Sequence, residues 1–189
     1  MDLSKITKLV INVDTIKGFL EKGNMADKGI QGIISKQIVI LEQAEKEETT
    51  ATIFVVEWHD ENSVEFLRYP LHCVQGTPEV EVVDQLKRFF NNAYVFRKNS
   101  TSAIFAQGFM DFIKLMPNLK EVVIIGCCTD ICVMNLAIPL KNYFDEVNMN
   151  VTVIVPKDAV DTYDAPNHNR EEYNEMAFKF MVQAGIKIE

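Results

Sequence analysis

Cys132 is set apart by what surrounds it. The apolar, β-branched run Val122-Val123-Ile124-Ile125 leads through Gly126-Cys127-Cys128-Thr129-Asp130-Ile131 to this thiol. Beyond it Val133, Leu136, Ala137, Leu140 and Phe144 recur at the spacing of one helix face. With Thr129 or Asp130 as N-cap, Cys132 falls in the first helical turn, where unpaired backbone N–H groups and the positive end of the helix dipole converge. Such a setting lowers a thiol pKa and favours nucleophilic attack. The competing reading is a small buried hydrophobe, the commoner role of a free cysteine. Two more apolar runs end in residues that could serve a nucleophile: Lys8 to Val13 ends at Asp14, and Ala93 to Phe96 delivers Arg97 and Lys98. Taken singly, Asp14 is a cap and Lys98 a solvated lysine. Taken together, the carboxylate can accept the thiol proton while the ammonium holds the carboxylate and favours anionic forms beside it.

Strands and helices must bring these residues to one place. Lys8–Val13, Thr52–Val56, Ala93–Phe96, Val122–Ile125 and Val151–Val155 read as buried strands, with Ile186–Ile188 as a short last one. Helical segments are expected at about 28–46, 81–90 and 105–116, after Cys132, and at about 171–183. Pro139 inside the helix after Cys132 removes a backbone donor, so a kink or early stop is expected there. Strands alternating with helices imply right-handed βαβ units: one α/β domain over residues 1–189, three layers deep, its central sheet mostly parallel. Ligands bind beyond the carboxyl ends of such strands. There this chain places Asp14, Glu57 with His59, Lys98 and Cys132.

Composition narrows the function classes. Hydrophobic residues are 48% of the 189, enough for a sizeable core, and a formal charge of −8 argues against nucleic-acid or anionic membrane surfaces. No window reaches the length of a membrane-spanning helix, and the run Leu9–Val13 is too short for a signal peptide. The cysteines at 73, 127, 128 and 132 lack the spacing of a disulfide framework, so a reduced, cytoplasmic protein is expected. No dinucleotide fingerprint or phosphate loop appears, and no organic cofactor is expected. A thiol-redox protein using Cys127, Cys128 and Cys132 is an alternative, weakened by the lack of a Cys-x-x-Cys pair.

Val10-Ile11-Asn12-Val13-Asp14 with Phe19, Lys98-Asn99-Ser100-Thr101-Ser102-Ala103-Ile104-Phe105, and Gly126-Cys127-Cys128-Thr129-Asp130-Ile131-Cys132-Val133 together resemble the isochorismatase-like cysteine hydrolases, whose best-known amidase branch is the nicotinamidases. Asp158-Ala159-Val160 adds to the likeness, which covers nearly the whole chain. The resemblance implies a cysteine amidohydrolase acting through a thioester, with nicotinamide the first candidate substrate. Another small amide, or isochorismate, is the alternative, the latter disfavoured because that branch generally lacks the nucleophilic cysteine. Asp14 would be general base and then general acid, Lys98 its stabiliser, and Cys132 the nucleophile. The backbone N–H groups of Cys128 and Cys132 would form the oxyanion hole, with a cis peptide at Cys127–Cys128. A homo-oligomer is a further expectation from the family.

The long loop after the second strand resembles the nicotinamidase metal site. Glu57-x-His59, Glu65, and His72 within Tyr69-Pro70-Leu71-His72-Cys73 stand where that branch holds a divalent ion, and imidazole with carboxylate suits zinc, manganese or iron. The alternative is that both histidines hydrogen-bond loop backbone and bind no metal. Glu57 replaces the usual aspartate, Ile16 stands in place of an amide residue, and Tyr69 in place of a tryptophan. Phe19 and Tyr69 are expected to wall the substrate pocket, with ordinary loop packing as the alternative.

Overall fold

The computed structural model describes residues 2–189. A seven-stranded sheet runs through it: β1 (Lys8–Val13), β2 (Thr50–Glu57), β3 (Tyr94–Lys98), β4 (Glu121–Cys127), β5 (Thr152–Val155), β6 (Val160–Asp161) and β7 (Lys187–Ile188). The strand order is β3-β2-β1-β4-β5-β7, with β6 beside the end of β4, and every pairing is parallel. The helices are α1 (Lys17–Leu20), α2 (Ile34–Ala44), α3 (Lys87–Phe90), α4 (Phe109–Lys114), α5 (Met134–Glu146) and α6 (Arg170–Gln183). Among the described residues, no helix is long and apolar enough to cross a membrane.

Both faces of the sheet are covered, which is why its strands are apolar at nearly every position. Alternation divides them between two cores. Leu9, Ile11, Val13, Ile53, Val55, Val122 and Ile124 pack with Phe109 of α4, Leu136 and Phe144 of α5, and Met181 of α6. Val10, Phe54, Val56, Val123 and Ile125 face the other way, against Leu20, Ile34, Leu41 and Phe89. Burying each large apolar side chain stabilises by roughly 1.5–3 kcal/mol, so tertiary packing rather than helix propensity holds single-turn elements such as α3.

Several sequence expectations are corrected by tertiary context. The helix expected over 81–90 is one 3₁₀ turn, Asp84–Leu86, followed by α3, because the stretch before it pairs with the chain leaving β1: the Lys17 N–H donates to the Glu81 carbonyl at 2.8 Å and the Val83 N–H to the Thr15 carbonyl at 3.2 Å. The helix expected from residue 28 begins as a 3₁₀ turn, Lys28–Ile33, and α4 starts only at Phe109, after Gly108 in a left-handed conformation. β3 runs on to include Lys98, and β6 lies in a stretch read as loop. Pro139 does not end its helix, as α5 continues to Glu146. The carbonyl that Pro139 cannot serve, four residues back at Asn135, accepts the Ser102 hydroxyl at 2.8 Å instead.

β1 and β4 approach so closely at their carboxyl ends that a Cβ on Gly126 would lie 1.9 Å from the Val13 carbonyl oxygen, and its φ is +130°. Gly126→Ala is therefore expected to destabilise the fold by roughly 3 kcal/mol or more. Urea denaturation measures this, and an unchanged midpoint would show that the two strands part freely at this point.

Candidate active site

The parallel register brings four strand ends together. Asp14 follows β1 in a left-handed conformation, φ 52°, which turns its side chain toward β2. There the Glu57 N–H donates to Oδ1 at 2.7 Å. Cys127 holds the same residue from the other side, its thiol donating to the Asp14 carbonyl at 3.1 Å. Glu57 and Lys98 are register partners across β2 and β3. Lys98 Nζ consequently lies 2.8 Å from Asp14 Oδ2, 2.9 Å from Glu57 Oε1 and 3.6 Å from Cys132 Sγ. All four groups are buried.

Burial sets their charges against one another. It pushes the Asp14 carboxyl up to about 6, with Lys98 pulling the other way. Burial also opposes the Lys98 ammonium, but Asp14, Cys132 and Glu57 outweigh it and hold the lysine well above its ordinary value. Removal from water drives the Cys132 thiol well above its usual range despite Lys98, and Asp14 and Glu57 add to that rise. The lowering expected from a helix N-terminus is thus overturned. A thiol protonated at rest needs a base, and carboxylate oxygens of Asp14 and Glu57 both lie within 4.8 Å of its sulfur. Asp14, pushed up to about 6, is the stronger base of the two, because burial of Glu57 is outweighed by Lys98, His59 and His72, which hold it well below the ordinary carboxylate range.

Neither Thr129 nor Asp130 caps the helix. Cys128, extended, precedes a wide turn over Thr129–Val133 in which the Val133 N–H donates to the Cys128 carbonyl at 3.1 Å. Asp130 instead meets His168 of the loop after β6. The peptide Cys127–Cys128 is cis; Cys128 precedes this turn and Cys132 lies within it, both at the cleft. Phe19 and Tyr69 line the same cleft, as do Thr101 and Ile131 of the two motif segments and Tyr163, which no sequence pattern marked. A roomier groove of about 580 Å³ lies where β1 and β4 begin, remote from this chemistry. Its Lys8 and Lys36 are paired with Glu121 and Asp158, each at 3.0 Å, and neither thiol nor imidazole borders it.

The loop after β2 closes the cleft with Glu57, His59, Glu65 and His72. Donor atoms of Glu57, His59 and His72 lie within 4.8 Å of one another. His59 Nε2 is 3.4 Å from Glu57 Oε1 and 3.4 Å from Glu65 Oε2, while His72 Nε2 is 3.4 Å from Glu57 Oε2. Asn99 Oδ1 accepts the Asp60 N–H at 3.3 Å and therefore accepts His59 Nδ1–H at 2.9 Å as well. His72 Nδ1 donates to the Pro70 carbonyl at 2.7 Å. Both imidazoles thus turn Nε2 toward carboxylates. His59 Nε2 and both Glu65 oxygens are buried without a hydrogen-bond partner. Acceptors gathered in this way call for a cation, and outer partners on Nδ1 are the usual support of a ligating histidine. Glu57, His59 and His72 fit a divalent metal, with Glu65 beside His59, and the longer Glu57 reaches both this cluster and Lys98. Burial disfavours the His59 imidazolium, yet Glu57, Asn99 and Glu65 together hold its pKa above the ordinary value, which shows the same demand for positive charge.

Nicotinamidase 1 of Arabidopsis thaliana is 27% identical over 175 residues, covering 84% of this chain and 71% of its own. The pyrazinamidase/nicotinamidase of Streptococcus mutans superposes with a TM-score of 0.80 at 21% identity, covering 97% of this chain and 100% of its own. The pyrazinamidase of Pyrococcus horikoshii, solved in complex with zinc, gives 0.74 at 24% identity, with 96% and 98% covered. The isochorismatase domain model matches residues 8–188, and the chain belongs to that family of hydrolases.

Proposed function

We propose that this protein is a cysteine-dependent amidohydrolase of a small amide, with nicotinamide, giving nicotinate and ammonia, as the first candidate. The observation that carries the reading is Lys98 Nζ at 2.8 Å from Asp14 and 3.6 Å from Cys132 Sγ, all in a buried site. The names of the relatives, nicotinamidases and pyrazinamidases, support the amide as substrate class.

Asp14 takes the proton of Cys132 as Sγ attacks the amide carbonyl carbon. Lys98 keeps Asp14 in place and balances the negative charge that passes between carboxylate and sulfur. The carbonyl oxygen, now an oxyanion, is met by the backbone N–H groups of Cys128 and Cys132. Asp14 returns the proton to the leaving nitrogen, the C–N bond breaks and ammonia departs, leaving a thioester on Cys132. Water then adds to the thioester with Asp14 as base. The carboxylic acid leaves, and the Cys132 thiol regains its proton. Phe19 and Tyr69 offer aromatic faces to a flat substrate. Glu57, His59, Glu65 and His72 would hold a divalent ion (zinc, manganese or iron), which when bound supplies a Lewis-acid position for a ring nitrogen of the substrate.

Ammonia release from nicotinamide and a panel of small amides tests the reading, and no release from any amide would overturn it. For the metal half, elemental analysis is expected to find about one divalent ion per chain, and His59→Ala with His72→Ala to lose it. Their loss should raise KM more than it lowers kcat. A metal-free, fully active wild-type protein would remove that part.

A further inference from the structure

His168 belongs to neither group of residues, yet it stacks against Tyr163, a residue of the cleft wall. Its ring lies between two tyrosines, stacked on Tyr163 with centroids 3.8 Å apart and planes at 10°, and on Tyr173 at 3.7 Å and 30°. Tyr163 lines the cleft beside Cys132. The two ring nitrogens of His168 are both engaged: Nδ1 is 3.0 Å from the Tyr163 carbonyl oxygen and Nε2 is 2.9 Å from Asp130 Oδ2. A carbonyl and a carboxylate can only accept, so satisfying both contacts requires hydrogen on both nitrogens. The flanking tyrosine faces suit a cation as well.

We propose that His168 is held as an imidazolium which, by donating to the Tyr163 carbonyl and to Asp130 at once, fixes Tyr163 as an affinity-determining wall of the cleft. His168 is a positioning residue; Tyr163 is the group that meets the substrate. The groups facing the imidazolium are Asp130 from the Thr129–Val133 turn, Tyr163 from the loop after β6 and Tyr173 from α6. Arg170 at the start of α6 is turned away, to Asp27 at 2.6 Å and the Thr162 carbonyl at 2.8 Å. It anchors the base of the loop, while a backbone pair between Ala165 and His168 closes the loop's end. The tip carrying Tyr163 is then tied to the turn that presents Cys132 through His168. Loss of one ring proton leaves a lone pair facing an acceptor and releases one of the two contacts.

The nature of the molecule received by this wall rests on the amidohydrolase reading; the charge state of His168 does not. Two experiments therefore test the proposal separately. Long-range ¹H–¹⁵N correlation spectra of histidine-labelled protein, with His168 assigned through His168→Gln, should show both ring nitrogens protonated at about pH 7. A neutral ring there would overturn the proposal whatever the protein hydrolyses. In kinetics, His168→Phe keeps the stack but removes both donors. It should raise KM about tenfold with kcat within roughly threefold, as expected for losing hydrogen bonds made by a charged group. Tyr163→Ala should raise KM likewise. An unchanged KM in His168→Phe would refute the positioning role.

Discussion

Cys132→Ala is expected to lower ammonia release by about 10⁴-fold or more, because no covalent thioester can form without the sulfur. The same change at Cys127 should leave most of the activity. Its thiol donates one hydrogen bond to the Asp14 carbonyl, and losing that contact costs about 1 kcal/mol without touching the reacting atoms. Cys128→Ala should also remain active, since the role proposed for Cys128 belongs to its backbone N–H. The three variants separate a nucleophile from a set of interchangeable thiols. Equal losses across them would favour the thiol-redox alternative, and residual full activity in Cys132→Ala would overturn the mechanism. Mass spectrometry of protein quenched during turnover should find the acyl adduct on the peptide carrying Cys132 and not on one altered to alanine there.

Lys98→Met should damage both stability and chemistry. The ammonium is buried between Asp14 and Glu57, at 2.8 and 2.9 Å, and removing it leaves two neighbouring carboxylates out of water with no cation beside them. Breaking a buried pair in this way costs roughly 3–5 kcal/mol, read as a shift in the urea midpoint at neutral pH. The sign of the pH dependence follows from burial, which already pushes Asp14 up. Without Lys98 it rises further, so lowering the pH protonates one carboxylate and the deficit relative to wild type shrinks. Activity should fall about 10³-fold or more, since a protonated Asp14 cannot accept the thiol proton. Lys98→Arg should not restore it, because a planar fork does not fill the place of a compact ammonium held by acceptors from three strands. A variant with methionine at this position that kept wild-type stability at neutral pH would show that the charge cluster is relieved in another way.

Much of the fold was legible because parallel strands buried on both faces are written as unbroken β-branched runs, and because alternation with helices leaves few topologies. The strand ends at Asp14, Glu57, Lys98 and Cys132 could be found for the same reason. Short helices were less legible. The stretch before α3 has a helical pattern, but its backbone donors and acceptors are taken by the chain after Asp14. At Pro139 the helix does not stop early: the Ser102 hydroxyl, from the lysine-bearing segment, serves the carbonyl left free at Asn135.

The sequence by itself determined the apolar runs that become strands, the residues that end them, and the motif likeness that singled out the Asp14, Lys98 and Cys132 set and the Glu57-to-His72 loop. The tertiary structure decided what those residues are to one another. Lys98 touches Asp14, Glu57 and Cys132 because β3, β2, β1 and β4 lie side by side in parallel register, a relation between distant segments that no local pattern encodes. Burial then reversed the expectation for the Cys132 thiol, since removal from water outweighs the nearby ammonium. The same long-range packing brought His168 onto Asp130 and Tyr163 onto the cleft. Charge state and contact depend on neighbours and solvent in three dimensions, whereas strand and helix periodicity depends on the chain alone.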